Sequence, residues 1–185
     1  MRREQVERAM AGDHDAFSEL ARVSIARLYA AARMILRDEI RAEDATQEAL
    51  VAAWRDLSAL RDPDRFEAWL HRLLVRACHR EARRGRRRLV IELEASRTSR
   101  IVERDPAIDL ADRDELDRGF ARLDADQRTV LVLHHFLGLT LDEVAVALAV
   151  PPGTARSRLH RATRAMRAAL EADARLSTLT EGRLA

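Results

Sequence analysis

Between Pro151 and Arg167 the chain reads PPGTARSRLHRATRAMR, with five arginines, one histidine and no carboxylate. Guanidinium groups are planar forks of donors that match phosphate oxygens and the O6/N7 edge of guanine. On a helical wheel Ala155, Leu159, Ala162, Met166, Ala169 and Leu170 fall on one side. Arg156, Ser157, His160, Arg161, Arg164 and Arg167 fall on the other, with Arg158 between. Such a face is either solvated charge or a surface that holds an anion. Thr154, near the helix start, can donate to phosphate where the first amides add partial positive charge.

A different stripe lies in AEDATQEALVAAW. Asp44, Gln47, Glu48, Val51 and Arg55 share one helical face, opposite Ala49, Leu50, Ala53 and Leu57. Acidic and amide groups at i, i+3 and i+4 form a contiguous patch, suited to a basic helical partner or simply to water.

Other reactive residues are sparse. His134 and His135 are neighbours and point about 100° apart on a helix, so they form no natural chelate. They are expected to be buried or half-buried structural histidines. The single Cys78 excludes an internal disulfide and a cysteine-based zinc site, and is expected to be a quiet thiol. Gly85 stands alone among arginines, so there is no glycine-rich phosphate loop. No metal, cofactor or catalysis of the chain's own is expected.

The elements that position these groups are helical. Apolar residues recur at helical spacing from Asp13 to Arg37, a second helix spans about Ala42 to Leu57, and a third follows Pro63 with Asp64 as its N-cap. RRGRRR is expected to end the third at about Arg88. Trp54 and Trp69 share the leucine periodicity and are read as mainly core. After a stretch of mixed charge with Pro106, DELDRGFARL forms one short helix. Asp124-x-x-Gln127 and Thr140-x-x-Glu143 read as capping boxes for the next two. Gly138 ends the first of these, and Pro151–Pro152 separates the second from the basic helix. A capped helix, a tight turn and a basic helix follow in the order of a DNA-reading helix–turn–helix.

The chain is therefore read as all-α, two small helical domains joined by a flexible linker. The first covers 1–88, the linker 89–111, the helix–turn–helix domain 112–175 and a tail 176–185. With 35% charged and 4% aromatic residues, the composition suits amphipathic helices and offers little for a sandwich or barrel. The net charge of +2 predicts no polyanion partner by itself, but the charge is segregated. Arg76 to Arg88 holds seven arginines and one glutamate, whereas Glu103 to Asp117 holds seven acids. The absence of a long apolar run or signal-peptide core gives the expectation of a cytoplasmic protein with no membrane insertion.

The segment AEDATQEALVAAW resembles region 2.2 of bacterial sigma factors of the extracytoplasmic-function (ECF) group. RFEAWLHRLLVRACHREARRGRR resembles regions 2.3 and 2.4, and LDADQRTVLVLHHFLGLTLDEVAVALAVPPGTARSRLHRATRAMR is similar to region 4. The resemblance implies docking of Asp44, Gln47, Glu48 and Arg55 on the clamp helices of the largest subunit of core RNA polymerase. It also implies a contact with the polymerase flap. The loop Leu60–Phe66, with Arg61, Asp62 and Arg65, would capture a flipped −10 base. Arg72, Arg76, Arg80, Arg83 and Arg84 would line the melted strand. The −35 readers would be Arg156, Ser157, His160 and Arg161, with Thr154, Arg158 and Arg164 beside them. Many family members carry Asn at the position of Arg76, and often an acid at that of Arg80. The resemblance further implies control by an anti-sigma factor. Free, the two domains would fold together or onto that partner, masking both surfaces.

Two rivals are a helix–turn–helix repressor or activator and a decoy that binds polymerase or an anti-sigma factor without promoter activity. The first leaves the Asp44 face and the Arg76–Arg88 cluster unexplained. An enzyme would need a carboxylate cluster with metal spacing, and none is legible.

Overall fold

The computed structural model describes residues 2–95 and 111–181. Four helices form the first block: α1 (Arg2–Met10), α2 (His14–Leu36), α3 (Glu39–Asp56) and α4 (Phe66–Ala95). Aspartates set the starts of α2 and α3. Asp13 caps α2 by accepting from the Ala16 amide at 3.0 Å, and Asp38 caps α3 by accepting from the Arg41 amide at 2.9 Å. Between them α2 stops at Arg37, a left-handed residue with φ 55°.

The core of this block is built on small residues in α3. Ala42, Ala45, Ala49 and Ala53 are all fully buried, which lets α3 approach both α2 and α4 closely. Leu28 and Ile35 of α2, Leu57 after α3, and Leu70, Leu74 and Cys78 of α4 fill the remaining space. Thr46, also buried, donates its hydroxyl to the Ala42 carbonyl at 2.7 Å.

The second block holds α5 (Ala111–Ala121), α6 (Ala125–Leu131), α7 (Leu141–Leu148) and α8 (Pro152–Glu181). Both capping boxes form: Asp124 with Gln127 opens α6, and Thr140 with Glu143 opens α7. α6 widens into a π-helical turn, Val132–Phe136, and Gly138 ends it at φ 75°, a left-handed backbone that glycine adopts without strain. Pro152 stands at the first position of α8, as the chain's order of prolines predicts. α5 lies close to α8 at Gly119, where a Cβ would fall 2.9 Å from Met166 Cε and the flexible end of that side chain would have to move.

Several boundaries differ from those expected. α1 was not anticipated; it is polar, and only Val6 and Ala9 anchor it by full burial. Asp62, not Asp64, caps the entry to α4, accepting from the Asp64 amide at 3.0 Å through a short 3-10 turn, Pro63–Arg65. α4 runs through the arginine cluster to Ala95, because arginine is a good helix former and no breaker follows Gly85. Residues 89–95 thus continue α4, and α5 begins at Ala111; the rest of the expected linker lies outside the described residues. α8 continues to Glu181, so residues 176–181 of the expected tail are helical.

The two blocks pack together, α4 against α7 and α2 against α6 and the π turn. Three guanidiniums cross this seam to backbone carbonyls. Arg27 reaches Phe136 and Leu137 at 3.2 Å, Arg128 reaches Ile35 at 2.6 Å, and Arg37 reaches Asp117 at 2.7 Å. Burial, with the Arg37 charge nearby, pulls the Arg128 guanidinium below its usual value, yet it remains a cation that needs those acceptors.

Leu74 is fully buried at the centre of the first block. Leu74→Ala is expected to lower unfolding free energy by about 2–5 kcal/mol through lost burial and a residual cavity, as measured by urea denaturation.

Candidate nucleic-acid interface

α8 is held by its apolar side. Ala155 and Ala162 are fully buried and Ala169 nearly so, where α8 packs on α5, α6 and α7. That seating turns Arg156, Ser157, His160, Arg161, Arg164 and Arg167 outward, and all six are exposed. Ser157 donates its hydroxyl to the Thr154 carbonyl at 3.0 Å, and Arg161 Nε approaches the Ser157 carbonyl at 3.4 Å, so both are tethered to their own helix. Neither Arg156 nor Arg161 has a carboxylate partner among the described residues. Thr154 and Arg158 are half-buried at one edge. There Arg158 and Arg161 line a cleft with Asp124, Asp126 and Gln127 at the start of α6.

The acidic stripe of α3 is only partly free. Asp44, Gln47, Val51 and Arg55 are exposed. Arg55 donates to its neighbour Asp56 at 2.8 Å, and that bond raises its guanidinium above the usual value. Glu48 is half-buried and ion-paired with Arg80 of α4, its Oε1 2.9 Å from Arg80 Nε, and its Oε2 is buried without a hydrogen-bond partner.

The residues expected along a melted strand divide in the same way. Arg61 and Arg65 of the loop are exposed, and Asp62 is half-buried with Arg65 Nε 3.4 Å away. Arg3 of α1 reaches the same loop, pairing with Asp64 at 2.5 Å. On α4, Arg76, Arg80, Arg83 and Arg84 are exposed, whereas Arg72 is half-buried with its Nε enclosed and unpartnered. Arg83 donates to the His79 carbonyl at 3.3 Å. Hydrogen bonding to Glu81 raises the Arg84 guanidinium, and the charges of Glu48 and Asp44 add to it.

Trp54 corrects its core reading. It lies at the surface, 36% exposed, with its ring against His14 at 4.4 Å and Phe17 at 4.9 Å. It follows buried Ala53 and precedes exposed Arg55, so the helical turn leaves it at the boundary. Trp69 is half-buried against the core, as expected. His134 is half-buried, with Nδ1 2.8 Å from the Leu139 carbonyl, while His135 is exposed. Among the described residues no group of His, Cys, Asp and Glu could hold a metal ion, and no helix is long and apolar enough to cross a membrane.

Sequence reasoning missed Arg27, Arg37 and Arg128, because their acceptors are carbonyls far away in the chain. It also anticipated a folded-together state that masks both surfaces. The seam between the blocks leaves Asp44, Gln47 and the basic side of α8 exposed.

A capped helix–turn–helix with a bare basic recognition side, attached to a second helical bundle, defines a DNA-binding protein with a separate docking unit. Residues 20–88 match the family model of Sigma-70 region 2, and residues 113–166 that of Sigma-70, region 4. The chain is 33% identical to ECF RNA polymerase sigma factor SigM of Mycobacterium tuberculosis, over 83% of this chain and 76% of that protein. It is 31% identical to the RNA polymerase sigma-H factor of Pseudomonas aeruginosa, over 90% and 92% of the two chains. Among solved structures, CnrH in complex with the cytosolic domain of CnrY aligns at a TM-score of 0.66 with 29% identity. That alignment covers 93% of this chain and 98% of CnrH. The chain belongs to the ECF sigma factors. It binds core RNA polymerase and directs promoter-specific transcription initiation.

Cys78 is fully buried, and burial pushes its thiol up to about 12. The native thiol is expected to resist iodoacetamide at pH near 8 and to react once the chain is unfolded in urea, read by mass spectrometry. Because the folded value is raised, this group's contribution to stability is intact below the ordinary thiol value of 9.0 and declines as pH climbs toward about 12.

Proposed function

We propose that the two units divide promoter recognition between them. The exposed α3 face, with Asp44, Gln47 and Arg55 around Val51, docks on the clamp helices of the polymerase largest subunit, and the second block meets the flap. Glu48, expected in the same set, has Oε1 2.9 Å from Arg80 Nε of α4 and a buried Oε2 with no hydrogen-bond partner. The loop Leu60–Phe66, with Arg61, Asp62 and Arg65, meets the melted −10 strand, and the arginines of α4 neutralise its phosphates. α8 enters the −35 major groove with Arg156, Ser157, His160 and Arg161 toward base edges, while Thr154, Arg158 and Arg164 serve the backbone.

The observation that carries this reading is the outward, unpaired basic side of α8, seated by buried alanines behind two capping boxes. A solvated charged face would be served equally well by arginines paired with nearby acids. The chemistry of RNA synthesis stays with the polymerase, and the sigma chain works in the cytoplasm. CnrH is similar to this chain and is seen with CnrY, and RpoE of Bartonella quintana shares its fold and is seen with the anti-sigma factor NepR. An anti-sigma factor is accordingly proposed as a partner here.

Arg161→Ala is expected to cost about 1–3 kcal/mol of discrimination at one −35 position in run-off transcription with core enzyme; unchanged output would remove Arg161 from the readers. Asp44→Arg is expected to abolish co-purification with core polymerase, because a like charge would face the basic partner. A surviving complex would move the docking face elsewhere.

A further inference from the structure

The loop Leu60–Phe66 carries two arginines, Arg61 and Arg65, and two aspartates, Asp62 and Asp64. A strand of phosphates meets a loop of no net charge unless the carboxylates are occupied elsewhere. Each of them is. Asp62 Oδ1 accepts from the Asp64 amide at 3.0 Å, and its Oδ2 lies 3.4 Å from Arg65 Nε. Asp64 is met from outside the loop: Arg3 of α1, 61 positions away in the chain, donates from Nη1 to its Oδ2 at 2.5 Å. The same guanidinium donates from Nε to Glu7 Oε1 at 2.9 Å, one turn further along α1. Hydrogen bonds from two of its nitrogens fix the plane of the fork.

Packing brings α1 to this place. Buried Val6 and Ala9 seat it on α2 and on the short turns at either end of the loop. Val6 and Phe66 line one cleft with Arg3, Pro63, Asp64 and Glu67. The Arg3 and Asp64 side chains are 57% and 60% exposed, so the pair contributes little to stability. Its consequence is one of charge. Released from Arg3, the exposed Asp64 carboxylate would stand beside Arg65 and three residues from Arg61. There it would compete with phosphate for both guanidiniums and repel the strand.

We infer that Arg3 is a positioning residue for the −10 loop, drawing the Asp64 carboxylate toward α1 and neutralising it. Arg61 and Arg65 are thereby left to the phosphates of the melted strand, and Arg3 itself does not touch that strand. This rests on the proposed placing of the loop at the melted −10 strand.

The test uses reconstituted holoenzyme and a pre-melted fork fragment made from a genomic segment that wild-type holoenzyme transcribes. Arg3→Gln is expected to weaken fork binding about three- to fivefold at low KCl, the scale of one exposed charge, with the gap narrowing as KCl rises. Asp64→Asn is expected to stay within about twofold of wild type, because it removes the carboxylate that Arg3 neutralises. The double variant is expected to match Asp64→Asn and not Arg3→Gln, since the two residues act as one unit. Arg3→Lys, which keeps a cation beside Asp64, is expected to bind like wild type. Core affinity and helix content by circular dichroism are expected to be unchanged in every variant, since Val6 and Ala9 still seat α1.

Wild-type fork binding by Arg3→Gln would overturn the proposal. A double variant as weak as Arg3→Gln would put Arg3 on the strand itself, and Asp64→Asn as weak as Arg3→Gln would reduce the pair to a structural latch; either result overturns it as well. Failure of the loop assignment reads separately. Arg65→Gln would then bind the fork like wild type, removing the loop and the role of Arg3 together, whereas an effect of Arg65→Gln with none of Arg3→Gln sinks the Arg3 proposal alone.

Discussion

Close approach of helices through small side chains is the constraint on which the rest of the first block depends. Ala42, Ala45, Ala49 and Ala53 give α3 a fully buried seam with almost no side-chain bulk. A helix seated so deeply has only one way to face, and its polar residues are sorted by angle alone. Asp44, Gln47 and Arg55 end outside, while Glu48, about 50° from the middle of the exposed stripe, ends against α4. Larger residues in the seam would separate α3 from α4 and with them Glu48 from Arg80.

The second block obtains orientation from its turns more than from its core. Each of α6 and α7 is short, and short helices are marginal without help at their ends. The two capping boxes supply that help from within each sequence segment, and Gly138 and Pro152 define where the chain reverses. α8 is then rotated so that its alanines are buried and its arginines bare. The basic surface is a consequence of where alanine occurs in α8 as much as of where arginine does.

Much of this was legible because it depends on local chemistry. Capping boxes, the alanine and leucine faces, and the outward set on α8 follow from spacing within a single helix. What was not legible depends on partners distant in the chain. The wheel places Glu48 in a stripe with Asp44 and Gln47, and only the packing of α4 shows that its carboxylate is engaged. Trp54 shares a period with buried residues and is nevertheless at the boundary, where His14 and Phe17 cover one side of the ring. α1 carries too few apolar residues to announce itself, and its full burial at Val6 and Ala9 is a property of the surface it lands on.

The absence of lysine gives the arginines more than one task. Every fixed cationic side chain in the sequence is a fork with several directed donors, and backbone carbonyls near helix ends are good acceptors for such forks. Arg27 and Arg128 use that match in opposite directions across the seam: Arg27 serves the end of the π turn in the second block, and Arg128 the end of α2 in the first. Neither contact consumes a carboxylate. The acids cap helices, form the α3 stripe and pair with arginines of their own block, and the basic side of α8 keeps no acidic partner among the described residues. The segregation of charge that marks both proposed surfaces thus follows from having carbonyls, not carboxylates, join the two blocks.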